Sequence, residues 1–160
     1  MDKQAKEVAE SLNTNVNNNP TAALDPNQDL IVSNTDNYVK IMFRDDMMFE
    51  TNSVNPTPSA SAKIAKINSV LQKYPNTLVQ VVGHTDSRGS HDYNLNLSNQ
   101  RATNVGNIIF NSGAQNQIFS RGCSFDKPVA LNNSDANMGL NRRVEVYLYP
   151  NQQTVIDVCK

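Results

Sequence analysis

The feature of this sequence that most constrains its fold is the order in which strand-like and helix-like apolar patterns follow one another along the chain. Four short runs have the alternation or the β-branched composition of strands. They are YVKIMF from residue 38, TLVQVVG from residue 77, QIFSRG from residue 117 and RVEVYLY from residue 143. Each run is too short to form a helix with an apolar face, so all four are predicted to be strands.

Two segments with helical spacing separate these strands. A helix is predicted from Pro58 to Tyr74, with Thr57 as its N-cap. A second helix is predicted to begin within residues 92–97 and to end at Gly113, a residue type that suits a helix C-terminus. The order β-α-β-α-β-β predicts an α+β fold in which the helices pack on one face of a mixed sheet.

The composition of the chain changes along its length. Residues 1–36 include NTNVNNNPTAALDPNQD, which is poor in apolar residues and rich in Asn, and are predicted to form a flexible arm. The folded domain is predicted over residues 37–154, and residues 155–160 are predicted to be a tail. The sheet face without helices is expected to be open or covered by the arm.

Charge and hydropathy exclude several classes of function. The formal net charge is −1 and the pI is about 6.1, so no basic surface for nucleic acid or anionic membranes is expected. No apolar stretch approaches the length of a transmembrane helix, and the first residues lack the apolar region of a signal peptide. The chain is therefore either cytoplasmic or begins after a removed signal.

The two cysteines, Cys123 and Cys159, are open to two interpretations. They are too few for a disulfide scaffold, and their spacing is not that of a zinc motif. Either both are free thiols, or one disulfide holds the tail, which would imply an oxidising compartment.

The segment GHTDSRGSHDYN, from Gly83 to Asn94, carries the densest set of polar residues. His84 and His91 are seven residues apart without a metalloprotease motif, so no metal site or cofactor is predicted. The chain has no G-x-S-x-G motif for a serine hydrolase. An enzymatic function is therefore not expected.

The same segment suits a binding pocket, because it follows a strand and precedes a helix. Asn94 and Arg101 are two helical turns apart and share a face with Leu97. Asp86 is the expected partner of Arg101, since an unpaired buried charge is costly. This set would complement the ammonium and carboxylate of an amino acid, although a purely structural Asp86–Arg101 salt bridge is the alternative.

Several linked motifs resemble those of the OmpA-like peptidoglycan-binding domain family. They are FETNSVNP, GHTDSRGSHDYN with LSNQRA, SRGCSFDKP and NRRVEVYL, in the family's order and spacing over residues 38–149. Two departures are visible. Glu50 stands where the family usually has Asp, and Cys123 replaces a residue of the family's G-x-G turn.

The resemblance implies a site and a role for each residue that matches a motif. Asp86 would bind the ammonium of diaminopimelate, Arg101 its carboxylate, and Asn94 would support the same head group. One arginine of the N-R-R motif would line the pocket and the other would be structural. These two candidate binding residues are Arg142 and Arg143. Thr85, Phe49 and Thr51 fall at the rim of the family's pocket, and His84 would orient the loop by hydrogen bonds.

The function implied by the resemblance is non-enzymatic binding of the peptidoglycan peptide stem. Family members are appended to outer-membrane barrels, lipoproteins, flagellar stators and secretion-system subunits. The expected location is the periplasm, attached to the outer membrane through a lipid anchor or partner outside this sequence. The alternative is a protein–protein module of a secretion system or another envelope complex, with other envelope proteins as partners.

Overall fold

The computed structural model describes residues 2–151 and 154–160. Within them, five strands form one sheet in the order β1-β2-β5-β3-β4. The strands are β1 (Leu30–Asn34), β2 (Val39–Arg44), β3 (Leu78–His84), β4 (Ile118–Gly122) and β5 (Arg143–Tyr149). β3 and β4 run parallel, and the other three neighbouring pairs of these described strands are antiparallel.

The α-helices of the same described residues lie before and between these strands. They are α1 (Asp2–Ser11), α2 (Asp45–Met48), α3 (Pro58–Ala65), α4 (Asn68–Leu71), α5 (His91–Asn111) and α6 (Asp135–Asn141). This arrangement confirms the predicted α+β class with helices on a mixed sheet. None of the described helices has the length and hydropathy needed to cross a membrane.

The main hydrophobic core lies between the sheet and α1, α3, α4 and α5. Val144, Val146 and Leu148 of β5 point into it, as the alternation of RVEVYLY predicts. Ile64 and Ile109 meet them from the helical side. The core therefore fixes where the ends of β3 and α5 lie relative to each other.

Two glycines bring α5 unusually close to the sheet. A Cβ on Gly83 would lie 2.5 Å from the carbonyl oxygen of Ser98, and one on Gly122 would lie 2.1 Å from the Ser98 hydroxyl. Larger residues at either position would push the helix away. This close approach places the first turns of α5 beside the end of β3.

The predicted helix from Pro58 to Tyr74 is divided into α3 and α4. Thr57 caps α3 as predicted, because its hydroxyl accepts a hydrogen bond from the Ala60 amide at 3.2 Å. Between α3 and α4 the amides of Lys66 and Ile67 donate to carbonyls three residues earlier, so the turn is tighter than an α-helix.

The prediction of a flexible arm over residues 1–36 is wrong for the described part, residues 2–36. Ala5, Val8, Ala9 and Leu12 are at most 1% exposed and belong to the main core. Their spacing is that of an amphipathic helix, which the polar average composition of the segment obscured.

The strand β1 is the second ordered part of this N-terminal segment. It pairs antiparallel with β2 and lies at the edge of the sheet. Val16 forms a parallel bridge with Val32, which covers part of that edge. β1 and α1 are thus parts of the fold, and α1 packs on the helical face of the sheet instead of the opposite face.

Two further helices lie in segments for which no helix or strand was predicted. α2 follows β2 directly, and α6 precedes β5. The hydroxyl of Ser134 accepts a hydrogen bond from the Asn137 amide, which caps α6. Both helices are shorter than eight residues, so their periodicity was too brief to distinguish from a loop.

The C-terminal segment covers the sheet face opposite the helices. Val155 and Val158 pack against Tyr147 and Tyr149. The Gln80 side chain donates to the carbonyl of Ile156 at 3.0 Å. This face, expected to be open or covered by the arm, is therefore covered in two places: the C-terminal segment packs on β3 and β5, and Ala22 of the N-terminal segment packs on Ile31 and Met42. Residues 152 and 153 of the predicted domain lie outside the described residues.

A disulfide joins Cys123 to Cys159, which decides between the two interpretations of the cysteines. It links the end of β4 to the C-terminal segment across a sequence separation of 36 residues. The bond thus holds the segment on the tyrosines of the sheet.

Reducing this disulfide is expected to lower the free energy of unfolding by about 2–4 kcal/mol, because a long unfolded loop regains its freedom. Urea unfolding with and without a thiol reductant measures the difference. The Cys123→Ser/Cys159→Ser variant should match the reduced protein and ignore the reductant. A wild-type midpoint that does not change on complete reduction would contradict the expectation.

Candidate functional site

A cavity of about 500 Å³ lies where the loop after β3, the first turns of α5 and the β2–α2 junction meet. It is lined by charged groups of both signs, Asp45, Asp46, Asp86, Arg88, Arg101 and Arg142. Asp45, Asp86 and Arg101 are also buried, at 9%, 5% and 6% exposure. Buried charges of both signs in an open cavity favour a charged ligand.

A larger groove of about 750 Å³ lies elsewhere, between α1 and residues 14–18. Its charged lining residues, Asp2, Lys3, Lys6 and Glu10, are all exposed. Exposed charges on a helix need no ligand to explain them. The cavity beside α5 is therefore the stronger candidate.

The loop between β3 and α5 has the turn chemistry that its sequence predicts. Gly89 adopts a φ of +86°, a conformation that residues with side chains rarely adopt. Ser90 then caps α5, because its hydroxyl accepts a hydrogen bond from the Tyr93 amide at 3.1 Å. This turn places Asp86 and Arg88 at the cavity.

Asp86 is held by two arginines. The backbone amide of Arg88 donates to its Oδ1 at 2.9 Å, and the Arg88 Nη2 donates to its Oδ2 at 2.8 Å. Arg142 Nη1 donates to the same Oδ2 at 2.8 Å. Burial opposes ionisation, but these hydrogen bonds outweigh it and lower the pKa of Asp86. The carboxylate is therefore charged at neutral pH.

The predicted Asp86–Arg101 salt bridge is wrong, because Arg101 pairs with Asp45. The Arg101 Nε also donates to the carbonyl of Ser53 at 2.9 Å. The guanidinium lies over the ring of Phe49, 4.5 Å from its centroid. Asp86 and Arg101 share the cavity, but each has its own counter-ion.

Asn94 is at the cavity and also holds the loop together. Its side-chain amide donates to the carbonyl of Arg88 at 2.6 Å and to that of Ser90 at 3.1 Å. Its position on α5 beside Arg101 agrees with the predicted shared helix face.

The three expected rim residues divide into two groups. Thr85 and Thr51 line the cavity. The Thr85 hydroxyl donates to the carbonyl of Asp86 at 2.9 Å. Phe49 is buried behind Arg101 and supports that guanidinium from outside the cavity lining.

The two arginines of the N-R-R motif point to different places. Arg142 lines the cavity, whereas Arg143 donates to Glu145 Oε2 at 3.0 Å and to the carbonyl of Lys127 at 2.8 Å. Of these two candidate binding residues, Arg142 at the end of α6 therefore lines the cavity, and Arg143 at the start of β5 is structural, as expected for one arginine of the motif.

His84 belongs to the same structural network as Arg143. Its Nε2 lies 3.0 Å from Glu145 Oε1. Burial lowers the pKa of His84, and the neighbouring Arg143 acts in the same direction. His84 thus anchors the end of β3, as expected of a loop-orienting residue.

Sequence reasoning missed three charged residues of the cavity, Asp45, Asp46 and Arg88. The signal for the first two was their position directly after β2, where a strand end brings charges to the sheet edge. Arg88 lay inside the segment already singled out, but its spacing to Asp86 did not reveal a contact.

Comparison with known proteins identifies the family. The model of the OmpA family matches residues 48–142. The probable lipoprotein YiaD of Escherichia coli K12 is 35% identical over 106 residues, which are 66% of this chain and 48% of YiaD. The peptidoglycan-associated lipoprotein of Rhizobium meliloti is 30% identical over 65% of this chain and 60% of that protein. The matched region spans only part of these relatives.

Solved structures share the fold. The cell wall anchor of the T6SS from Pseudomonas aeruginosa superposes with a TM-score of 0.69 and 27% identity, covering 77% of this chain and 89% of the other. The peptidoglycan-associated lipoprotein from Burkholderia pseudomallei has a TM-score of 0.58 and 27% identity, covering 64% and 87%. The family match covers more than half of this chain and takes in the loop after β3 and the whole of α5, so this chain belongs to the OmpA family.

Proposed function

We propose that this domain binds the peptide stem of peptidoglycan non-covalently, through the ammonium and carboxylate of diaminopimelate. The observation that carries the proposal is the buried carboxylate of Asp86 in one cavity with the guanidinium groups of Arg101 and Arg142. Charge-assisted hydrogen bonds to both signs of charge are what a zwitterionic head group requires.

Each half of such a head group has a candidate partner. Asp86 would accept the ammonium, because it is an ionised carboxylate at the cavity wall. Arg101 uses Nε and Nη1 for Ser53 and Asp45, and its Nη2 would be available to donate to the ligand carboxylate. Asn94 would hold the loop that carries Asp86 in register with α5.

The relatives support an anchoring role. They include proteins described as a probable lipoprotein, a peptidoglycan-associated lipoprotein and a cell wall anchor. We infer that this chain likewise attaches an outer-membrane protein or an envelope complex to the cell wall from the periplasm. The disulfide agrees with an oxidising compartment. The role is one of binding rather than catalysis.

Replacing Asp86 with alanine is expected to weaken binding to purified wall sacculi by about tenfold or more, since a charge-assisted contact is lost. The fold should persist, because Arg142 keeps Asp45 within 3.8 Å and Asp46 within 4.0 Å. Sedimentation with sacculi, beside a melting curve for each variant, measures both properties.

The matched control is Asp36→Ala, which removes an exposed carboxylate from the turn between β1 and β2. It should sediment like the wild type. If the Asp86→Ala protein is folded and still sediments with the sacculi, the proposed site is refuted. If the wild-type protein ignored sacculi but captured an envelope protein through the same cavity, the protein–protein role would replace this one.

A further inference from the structure

We propose that Arg88 is a displaceable counter-ion of Asp86 that determines which ligands the cavity accepts. In the free protein its guanidinium occupies the place where an incoming ammonium would bind. Once displaced, it would bind the carboxylate carried by the same ligand. This inference rests on the proposed function and concerns the selectivity of that site.

The contacts of Arg88 fit a side chain that can be displaced. Its Nε and Nη2 lie 3.1 and 2.8 Å from Asp86 Oδ2. The Arg88 side chain is 59% exposed, whereas that of Arg142, the other partner of this carboxylate, is 24% exposed. Exposed ion pairs contribute little to stability, so Arg88 is the easier of the two to replace.

The backbone of Arg88 is held independently of its guanidinium. Its amide donates to Asp86 Oδ1 at 2.9 Å, and its carbonyl accepts from Asn94 at 2.6 Å. Both bonds use main-chain atoms, so they persist when the side chain moves or is removed. A ligand can therefore release the guanidinium without unfolding the loop.

The charges of the cavity explain why release of Arg88 depends on the ligand. The cavity is lined by three aspartates and three arginines, Asp45, Asp46, Asp86, Arg88, Arg101 and Arg142. An ammonium alone would displace Arg88 and leave an uncompensated positive charge. A ligand that also carries a carboxylate offers the freed guanidinium a planar, bidentate partner.

Two synthetic peptides test this selectivity, L-Ala-γ-D-Glu-meso-diaminopimelate and L-Ala-γ-D-Glu-L-lysine. They differ by the single carboxylate beside the distal ammonium. Wild-type protein should bind the diaminopimelate peptide about tenfold or more tightly by titration calorimetry, as the loss of one charge-assisted contact implies.

The Arg88→Ala variant should bind the lysine peptide about two- to fivefold more tightly than the wild type, because the competing exposed ion pair is gone. It should bind the diaminopimelate peptide more weakly, since one donor to its carboxylate is lost. The ratio of the two affinities should fall by about fivefold. Arg121→Ala removes a comparably exposed arginine paired with Asp157 away from the cavity and should leave the ratio unchanged.

The outcomes separate this inference from the proposed function. If Asp86→Ala abolishes binding of the diaminopimelate peptide but Arg88→Ala leaves the affinity ratio unchanged, the role of Arg88 is refuted and the site stands. If the wild-type protein binds neither peptide, or if Asp86→Ala binds as well as the wild type, both proposals fall. Melting curves should show Arg88→Ala to be folded, given the main-chain bonds of its loop.

Discussion

Removing residues 2–12 is expected to unfold the domain or to lower its melting temperature by more than about 10 °C. Leu12 is 1% exposed, and truncating one such buried leucine costs about 2–5 kcal/mol. Ala5, Val8 and Ala9 are buried in the same core. A domain of this size loses about 2–4 °C of melting temperature per kcal/mol, and its total stability is about 5–15 kcal/mol.

Single substitutions in α1 and at Leu12 show whether the truncated protein is destabilised by the loss of core packing or by the shortening of the chain. Leu12→Ala should destabilise the protein by about 2–5 kcal/mol, whereas Lys6→Ala and Glu10→Ala, on the exposed face of α1, should each change stability by less than about 0.5 kcal/mol. Thermal unfolding followed by circular dichroism provides the comparison. A truncated protein that melts within a few degrees of the wild type would show that α1 is dispensable.

Arg101→Ala and Asp45→Ala are each expected to destabilise the protein by about 3–5 kcal/mol. Both side chains are buried, and removing one leaves the other charge without its main partner. The double variant should be less destabilised than the sum of the two, because the single variants lose the same interaction. Urea unfolding of the four proteins gives the coupling energy.

Two further pairs place this result in context. Arg121 and Asp157 form an exposed pair, and their coupling energy should be no more than about 1 kcal/mol. Asp86→Ala and Arg101→Ala should couple more weakly than Asp45→Ala and Arg101→Ala, since Asp86 and Arg101 are linked only indirectly, through Arg142 and Asp45. Strong coupling between Asp86 and Arg101, with none between Asp45 and Arg101, would contradict the structure.

The strands and the longest helix were predictable because their signals are local. The alternation of RVEVYLY assigned Val144, Val146 and Leu148 to the core correctly. Gly113, with a φ of +109°, lies just beyond the end of α5 as its residue type predicts. The error in the N-terminal segment arose from composition, which averages over residues and hides the helical spacing of a few buried positions.

The sequence by itself determined the family, the order of most strands and which polar segment forms the cavity, because these depend on patterns within short stretches of chain. Only the tertiary structure decided which charges meet. Asp45 and Arg101 are 56 residues apart, and so are Asp86 and Arg142. Ion pairing depends on where helices and strands dock, and every arginine near the cavity is chemically able to pair with any of its aspartates.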